Sequence, residues 1–425
     1  MTTAYFSTFL LFILGIYLAF KNNLVKSNEV PLSFSIAAFL LKIIAAYSVW
    51  FIYSYYYSDR ASADIFKYFD DAASIFDASR ERIGLRWQLL FGTGIRGAAM
   101  DSVLANTMHW DTSSSLFFND NRTMIRLHLL LYHFSNGFYH LHLLFFTLIS
   151  CLGSYVMYRF FTNFSSLNRK LLFIIAFAIP SVLFWCSAPL KECWLLLGLG
   201  TFLFYISKLL QKNSLVAWTG LVFSILILLS IKVYFLFALI PACIFLFITH
   251  FLKQKSIHLS FLIIHLVFGI GFLLFNEKII AILSQKLLDF KSLANEVGAS
   301  SIVSISNYSD LSSFFYALPK ALYNVFFRAA IPIDFSPFSI MAAAETVGLL
   351  ILLILPFFFF RKPNYKEKQL AWFCASFVLI TAAIIGLTCP VLGAIVRYKA
   401  PLIPFYLILL LTFVDLRQLK RLISK

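Results

Sequence analysis

Apolar residues run along this chain in blocks of about 20, separated by short polar joints. Blocks of that length are what a helix needs to cross about 30 Å of hydrocarbon. They lie near residues 4–20, 32–56, 138–158, 171–187, 193–210, 215–231, 233–252, 257–275, 338–360, 370–388 and 401–415, which predicts an all-α polytopic integral membrane protein with about eleven transmembrane helices. A membrane barrel would show short alternating segments instead. Two longer stretches, 57–137 and 276–337, interrupt the series. Neither is patterned as a separate soluble domain, and no fixed-period repeat or low-complexity tract occurs, so residues 1–425 read as a single transmembrane domain with two long loops. No basic stretch precedes the first block, which argues against a cleaved signal peptide.

Composition narrows the class further. The chain is 61% hydrophobic and only 13% charged, against about 45–50% and about 25% for soluble domains. Soluble dehydrogenases and hydrolases, disulfide scaffolds and coiled coils are thereby excluded. The net charge of +16 raises the question of nucleic acid, but the cations form no patch and none is expected as a partner. Joints 21–31, 159–170, 208–214, 253–256, 361–369 and 416–425 hold 17 of the 35 Lys and Arg. Every second short joint is basic, which places those joints inside, both termini accordingly (N outside, C inside), and both long loops on the extracytoplasmic face. The six cysteines lie in or beside apolar blocks without metal-ligand spacing and read as small packing residues.

Ionisable groups near hydrocarbon are costly and therefore informative. Four places carry them, all on the predicted outer face. After the second block, Asp64, Tyr68 and Asp71 share one stripe of a helix with Asp70 beside them, while Ile65, Phe66, Phe69, Ala72, Ala73 and Phe76 form an apolar face. This predicts a helix lying on the membrane with its apolar side down; a solvated connector is the plain alternative. In the segment from Ile179 to Glu192, Pro180 and Pro189 break an apolar run before Lys191 and Glu192, as happens around cavities, although an ion pair closing a tight reversal would look the same. The third place is Arg328, followed by Glu345 in the next apolar block. The fourth is Arg397, Tyr398 and Lys399 before the last block, two cations on the face where positive charge is disfavoured. Simple interfacial anchoring would explain Arg328 and the Arg397–Lys399 pair; an anion site such as one for phosphate explains the latter better.

Other signals carry less. Gly92-Thr93-Gly94-Ile95-Arg96-Gly97 has dinucleotide-loop spacing but no strand–helix unit around it. His128, His133, His140 and His142 lack the spacing of one-face metal ligation. Lys42, inside the second block, must be paired or reach the interface. No cofactor is called for, and no ligand spacing indicates a divalent metal.

Acids and cations around a lipid-bordered outer cavity suit sugar transfer from a polyprenyl-phosphate donor. The isoprenoid tail stays in lipid, a carboxylate takes the acceptor's hydroxyl proton, and Arg and Lys stabilise the departing phosphate. Pro180-Ser181 with Trp185, Ser187, Lys191 and Glu192, the acidic first loop from Asp64 to Asp71, and Arg397-Tyr398 with Pro401 and Pro404 together resemble segments of the GT-C superfamily of polytopic glycosyltransferases, including bacterial members from Bacteroidetes. One departure is that the acidic loop follows the second apolar block rather than the first. The resemblance implies an inverting enzyme of the bacterial inner membrane acting on an envelope glycan, lipid or protein acceptor. It implies Asp64 as general base with Asp71 next, and phosphate contacts from Lys191, Arg328, Arg397 and Lys399. Glu192 would orient Lys191, and Tyr68 and Trp185 would stack on sugar. A polysaccharide polymerase and a lipid-linked-sugar flippase are the competing expectations.

Overall fold

The computed structural model describes residue 13 and residues 30–57, 59–61, 63–92, 97–110, 119–252, 256–296, 298–299 and 301–423. The protein is 80% helical, with no strands among the described residues. Eight helices are long and apolar enough to cross a membrane: Leu32–Tyr55, Tyr139–Phe164, Lys191–Gln211, Val233–Phe251, Ile257–Leu274, Pro337–Phe358, Tyr365–Thr388 and Leu392–Leu411. Leu215–Ile231 is apolar but shorter. The chain is thus an all-α protein with the helices of a multi-pass membrane protein.

The block near 4–20 lies outside the described residues except for Ile13. Two differences from the predicted eleven have local causes. The block at 171–187 is two short helices, Arg169–Phe177 and Pro180–Trp185. Pro180 occupies the first turn of the second helix, where its missing N–H is tolerated and the preceding residue is held extended. The last span begins earlier than expected, as Leu392–Lys399, a 3₁₀ turn at Ala400–Leu402 and Ile403–Leu411. Arg397, Tyr398 and Lys399 therefore lie within that span and not ahead of it.

The centre of the bundle is the crossing of the 139–164 and 191–211 helices. A Cβ on Gly200 would sit 2.1 Å from the Gly153 carbonyl oxygen, and one on Gly153 would sit 2.7 Å from the Leu196 backbone. Small residues let the two backbones meet, the usual solution where lipid gives no hydrophobic drive between helices. Gly200→Ala is expected to cost about 1–3 kcal/mol by forcing that contact apart, read as a lower unfolding temperature in detergent. The 32–55 and 337–358 helices are far less enclosed, with 17% and 11% of their most apolar windows buried, so their apolar surface is left for lipid. Lys42 lies on the buried stripe of the first of them, with Ser35, Ala38, Ala46 and Val49. It is fully buried and donates to Ser150 Oγ at 2.6 Å, so it is paired.

The long loops are helical. The first contains Asp64–Ala78, Ile83–Phe91, Ala98–Leu104 and Asp120–Ser135; the second contains Asn276–Glu296 and Leu311–Phe326. The amphipathic 64–78 helix does not rest on lipid as expected. Ile65, Phe66, Phe69 and Ala72 are buried within the protein. Phe69 packs on Tyr132, Tyr139 and His142, and Tyr139 donates to the Ile65 carbonyl at 3.1 Å. Aromatic partners from the 120–135 and 139–164 helices cover the face that sequence alone assigned to the bilayer.

At the opposite end of the bundle, Arg361 pairs with buried Glu367 at 2.6 Å, Glu367 accepts from Ser166, and the backbone N–H of Arg361 donates to the Phe413 carbonyl. This clasp joins the 365–388 helix to the ends of its neighbours. The six cysteines are free, and all but Cys151 are buried, in keeping with their reading as packing residues.

Candidate functional site

Starts and ends of several helices meet at one end of the bundle and bring charges together from four distant parts of the chain. Asp64 opens the 64–78 helix; Lys191 and Glu192 open the 191–211 helix; Asp120 opens the 120–135 helix; Arg397 lies one turn inside the last span. Aspartate and glutamate in a first turn face unpaired backbone N–H groups, which favours negative charge there.

Arg397 is the hub. It bonds Asp64, and its other amine lies 2.8 Å from the fully buried Glu192 carboxylate. A planar guanidinium can serve two carboxylates in this way. Asp64 is also paired with Lys67, one turn further along its own helix. Lys191 forms a second node, pairing with Asp120 at 2.7 Å and donating to Asn121 Oδ1 at 2.7 Å. Asn121 Oδ1 also accepts from the Tyr68 hydroxyl at 3.1 Å, and both Lys67 and Lys191 lie over the Tyr68 ring. Arg397 sits 5.9 Å from the Trp185 ring. Glu192 therefore orients Arg397, and not Lys191 as expected; Lys191 is oriented by Asp120.

Burial pushes the Asp64 carboxyl up, but Arg397, Lys67 and Lys191 outweigh it and hold the group well below the usual carboxylate range. Asp120 is lowered in the same way, burial being overcome chiefly by Lys191. Both shifts have one sign. A carboxylate whose folded pKa is depressed contributes stability above its unfolded value near 4 and loses it as pH falls through the folded value. Unfolding temperature is therefore expected to hold from neutral pH to about pH 4 and to drop below it, with a shallower drop in Asp120→Asn.

Five of the expected residues lie elsewhere. Asp70 forms an exposed bidentate pair with Arg60 at 2.7 and 2.8 Å. Asp71 is buried and accepts from the backbone N–H groups of Met108 and His109 at 3.0 and 2.8 Å, so it fixes a loop and is removed as second choice for the base. Asp71→Ala is expected to strand those two donors at about 1–3 kcal/mol each, visible as a loss of thermal stability. Arg328 donates to the Ile331 carbonyl at the exposed surface. Lys399 is buried and donates to the Val325 carbonyl at 3.0 Å. Neither joins the Arg397 cluster, and the phosphate contacts expected of both have no support in this geometry. Glu345 binds Ser181 through its backbone N–H at 2.7 Å and its hydroxyl, capping the short helix that carries Trp185.

Four participants were missed: Lys67, Asp120, Asn121 and Lys232. Lys232 is buried at the joint between Leu215–Ile231 and the next span, its ammonium 3.3 Å from the Tyr398 ring centre. Its only sequence signal was a single lysine between two apolar blocks. The histidines separate as well. His128 and His142 bond each other at 2.8 Å and His142 bonds Ser135 at 2.7 Å, while His140 stacks on Tyr47. No group of three or more metal-ligating side chains occurs among the described residues. Residues 93–96 of the glycine-spaced segment lie outside the described residues.

Two openings adjoin the cluster. A cavity of about 160 Å³ is lined by Trp185, Val396, Ser181, Phe338 and Met341 among others. It shares Phe338 and Met341 with an apolar groove formed with Phe51, Ile52, Tyr55 and Phe184, between the 32–55 and 337–358 helices. Two of the helices most open to lipid thus flank a path that leads toward Trp185.

These features define a multi-pass helical membrane protein with a cluster of ion pairs at one end of its bundle, next to a cavity lined by Trp185 and Val396. No family model, no curated protein and no solved structure matches the chain.

Proposed function

We propose that this protein is a membrane glycosyltransferase that moves a sugar from a polyprenyl-phosphate donor to an envelope glycan, lipid or protein acceptor on the extracytoplasmic side of a bacterial inner membrane. The observation that carries the reading is the joining of Asp64 to Arg397 across 333 residues of sequence, next to a Trp185-lined cavity that shares Phe338 and Met341 with an apolar groove. In the reaction, the acceptor oxygen bonds to the anomeric carbon and gives its proton to the Asp64 carboxylate. The bond from that carbon to the phosphate oxygen breaks, and its electron pair leaves on the lipid phosphate. Arg397 and Lys191 stabilise that charge, Trp185 and Tyr68 offer faces for the sugar, and the groove takes the isoprenoid tail. The resting chamber holds Asp64 between two cations, which keeps it ionised and weakly basic. An incoming phosphate competes for those cations, and a carboxylate released from them becomes a stronger base.

The test uses purified protein in nanodiscs, given radiolabelled polyprenyl-phosphate sugars and membrane extract as acceptor. Label moving into a new product, in the native protein but not in Asp64→Asn, supports the reading. Transport of the intact lipid-linked sugar across vesicles without any product would replace it with a flippase, and a ladder of products would make it a polymerase.

A further inference from the structure

The chamber is not neutral. Lys67, Lys191, Lys232 and Arg397 bring four positive charges, while Asp64, Asp120 and Glu192 bring three negative ones. Three of the cations are each ion-paired. Lys232 is not: among the described residues no carboxylate lies within ion-pair distance of it, and its ammonium rests on the Tyr398 ring. A buried ammonium held by an aromatic face alone retains unused donors. Its backbone is also fixed, since its N–H donates to the Leu228 carbonyl, its carbonyl accepts from Phe235, and the neighbouring Ser230 carbonyl accepts from Thr123 of the 120–135 helix at 2.8 Å. The side chain is thus pre-positioned beside the charged nodes without a carboxylate partner of its own among the described residues.

We propose that Lys232 is the anchoring cation for a phosphate-bearing group that enters the chamber, closing the surplus charge left by the three carboxylates. The inference rests on the glycosyltransferase reading only for the source of the phosphate; the buried ammonium without an ion-pair partner among the described residues is a feature of the structure. Compact, strongly hydrated ammonium groups suit phosphate as point charges. The groups acting on Lys232 are Glu192 and Asp120, which favour its charge, Lys191 and Arg397, which oppose it, and the Tyr398 and Tyr234 rings beside it. Burial, the largest influence, brings its pKa down to about 8. An anion held by Lys232 is therefore bound best below that pH and more weakly above it.

The experiment measures binding of farnesyl phosphate, farnesol and inorganic phosphate to the full-length protein in nanodiscs, for native protein, Lys232→Met and Lys232→Arg. Methionine fills the same volume without charge and removes a desolvated cation, so folding is expected to survive; Lys232→Arg keeps the charge. Farnesyl phosphate is expected to bind Lys232→Met about tenfold more weakly and Lys232→Arg nearly as well as native protein. Farnesol should bind all three alike. Native affinity for farnesyl phosphate should weaken as pH rises through about 8, and Lys232→Met should lose that dependence. Displacement by millimolar inorganic phosphate would name a soluble phosphate as the natural anion, and resistance to it a lipid headgroup. Equal farnesyl phosphate affinity in native protein and monodisperse Lys232→Met overturns the proposal, as does failure of native protein to bind either phosphate. If Lys232→Met binds normally while sugar transfer still requires Asp64, the proposal falls and the glycosyltransferase reading stands.

Discussion

Asp64→Asn is expected to cut sugar transfer by about 10²–10⁴-fold, the usual contribution of a positioned general base, and at the same time to tighten binding of farnesyl phosphate. The two effects have one cause. Asp64 occupies Arg397 and Lys67, so under the proposed function its carboxylate would be both the proton acceptor and a rival of the substrate for the same cations. Asparagine keeps the shape, loses the proton-accepting charge and returns those cations to the incoming phosphate. An ordinary substrate contact would behave oppositely, losing affinity when removed. Transfer kinetics and equilibrium binding on one preparation separate the cases. Unchanged transfer in Asp64→Asn would remove it as base, and weakened binding would remove the competition.

Arg397→Met is expected to be the most destabilising single change in the chamber, at about 3–5 kcal/mol, because it strands charges and not because it deletes a favourable pair. Breaking a buried ion pair from one side leaves an uncompensated charge. Here the loss reaches two carboxylates, and Glu192, fully buried, has no other ion-pair partner among the described residues. Arg397→Lys is expected to rescue only part of the loss, since an ammonium cannot span Asp64 and Glu192 as a guanidinium does. Adding Glu192→Gln to Arg397→Met should recover stability, a coupling that two independent sites would not show. Thermal unfolding of the four proteins in detergent supplies the cycle. A loss in Arg397→Met that Glu192→Gln leaves unchanged would place the cost outside the ion pair.

Much of the chamber was legible because a membrane protein penalises stray charge. Asp64, Tyr68, Trp185, Lys191, Glu192, Arg397 and Tyr398 stood out as polar groups at the ends of apolar blocks, and the structure gathers all seven. The same rule overreached where a charge had a quiet local partner. Glu345 is satisfied by Ser181 and Lys399 by a backbone carbonyl, and neither arrangement leaves a trace in one-dimensional patterning. It fell short where the signal was a single residue. Lys232 lies in a joint too brief to count as a loop, and Asp120 sits within a long segment whose helices pair only in three dimensions. The apolar face of the 64–78 helix was read correctly as a face and wrongly as facing lipid, because hydrophobic periodicity shows that a surface is covered without showing by what. The 171–187 block is split at Pro180, one of the two prolines read as breaking the run, so the break outweighs the hydropathy that made the block look like one span.

The wiring of the chamber bears on how the protein is made. Asp64 and Glu192 leave the ribosome long before Arg397, so the insertion machinery handles a nascent chain in which both acids still lack that counter-ion. A polypeptide interrupted before residue 397 would retain Glu192 without the guanidinium that neutralises it, which marks such fragments as poorly settled in the bilayer and open to quality-control proteases. Synthesis of the Leu392–Leu411 span is what supplies that counter-ion to both acids.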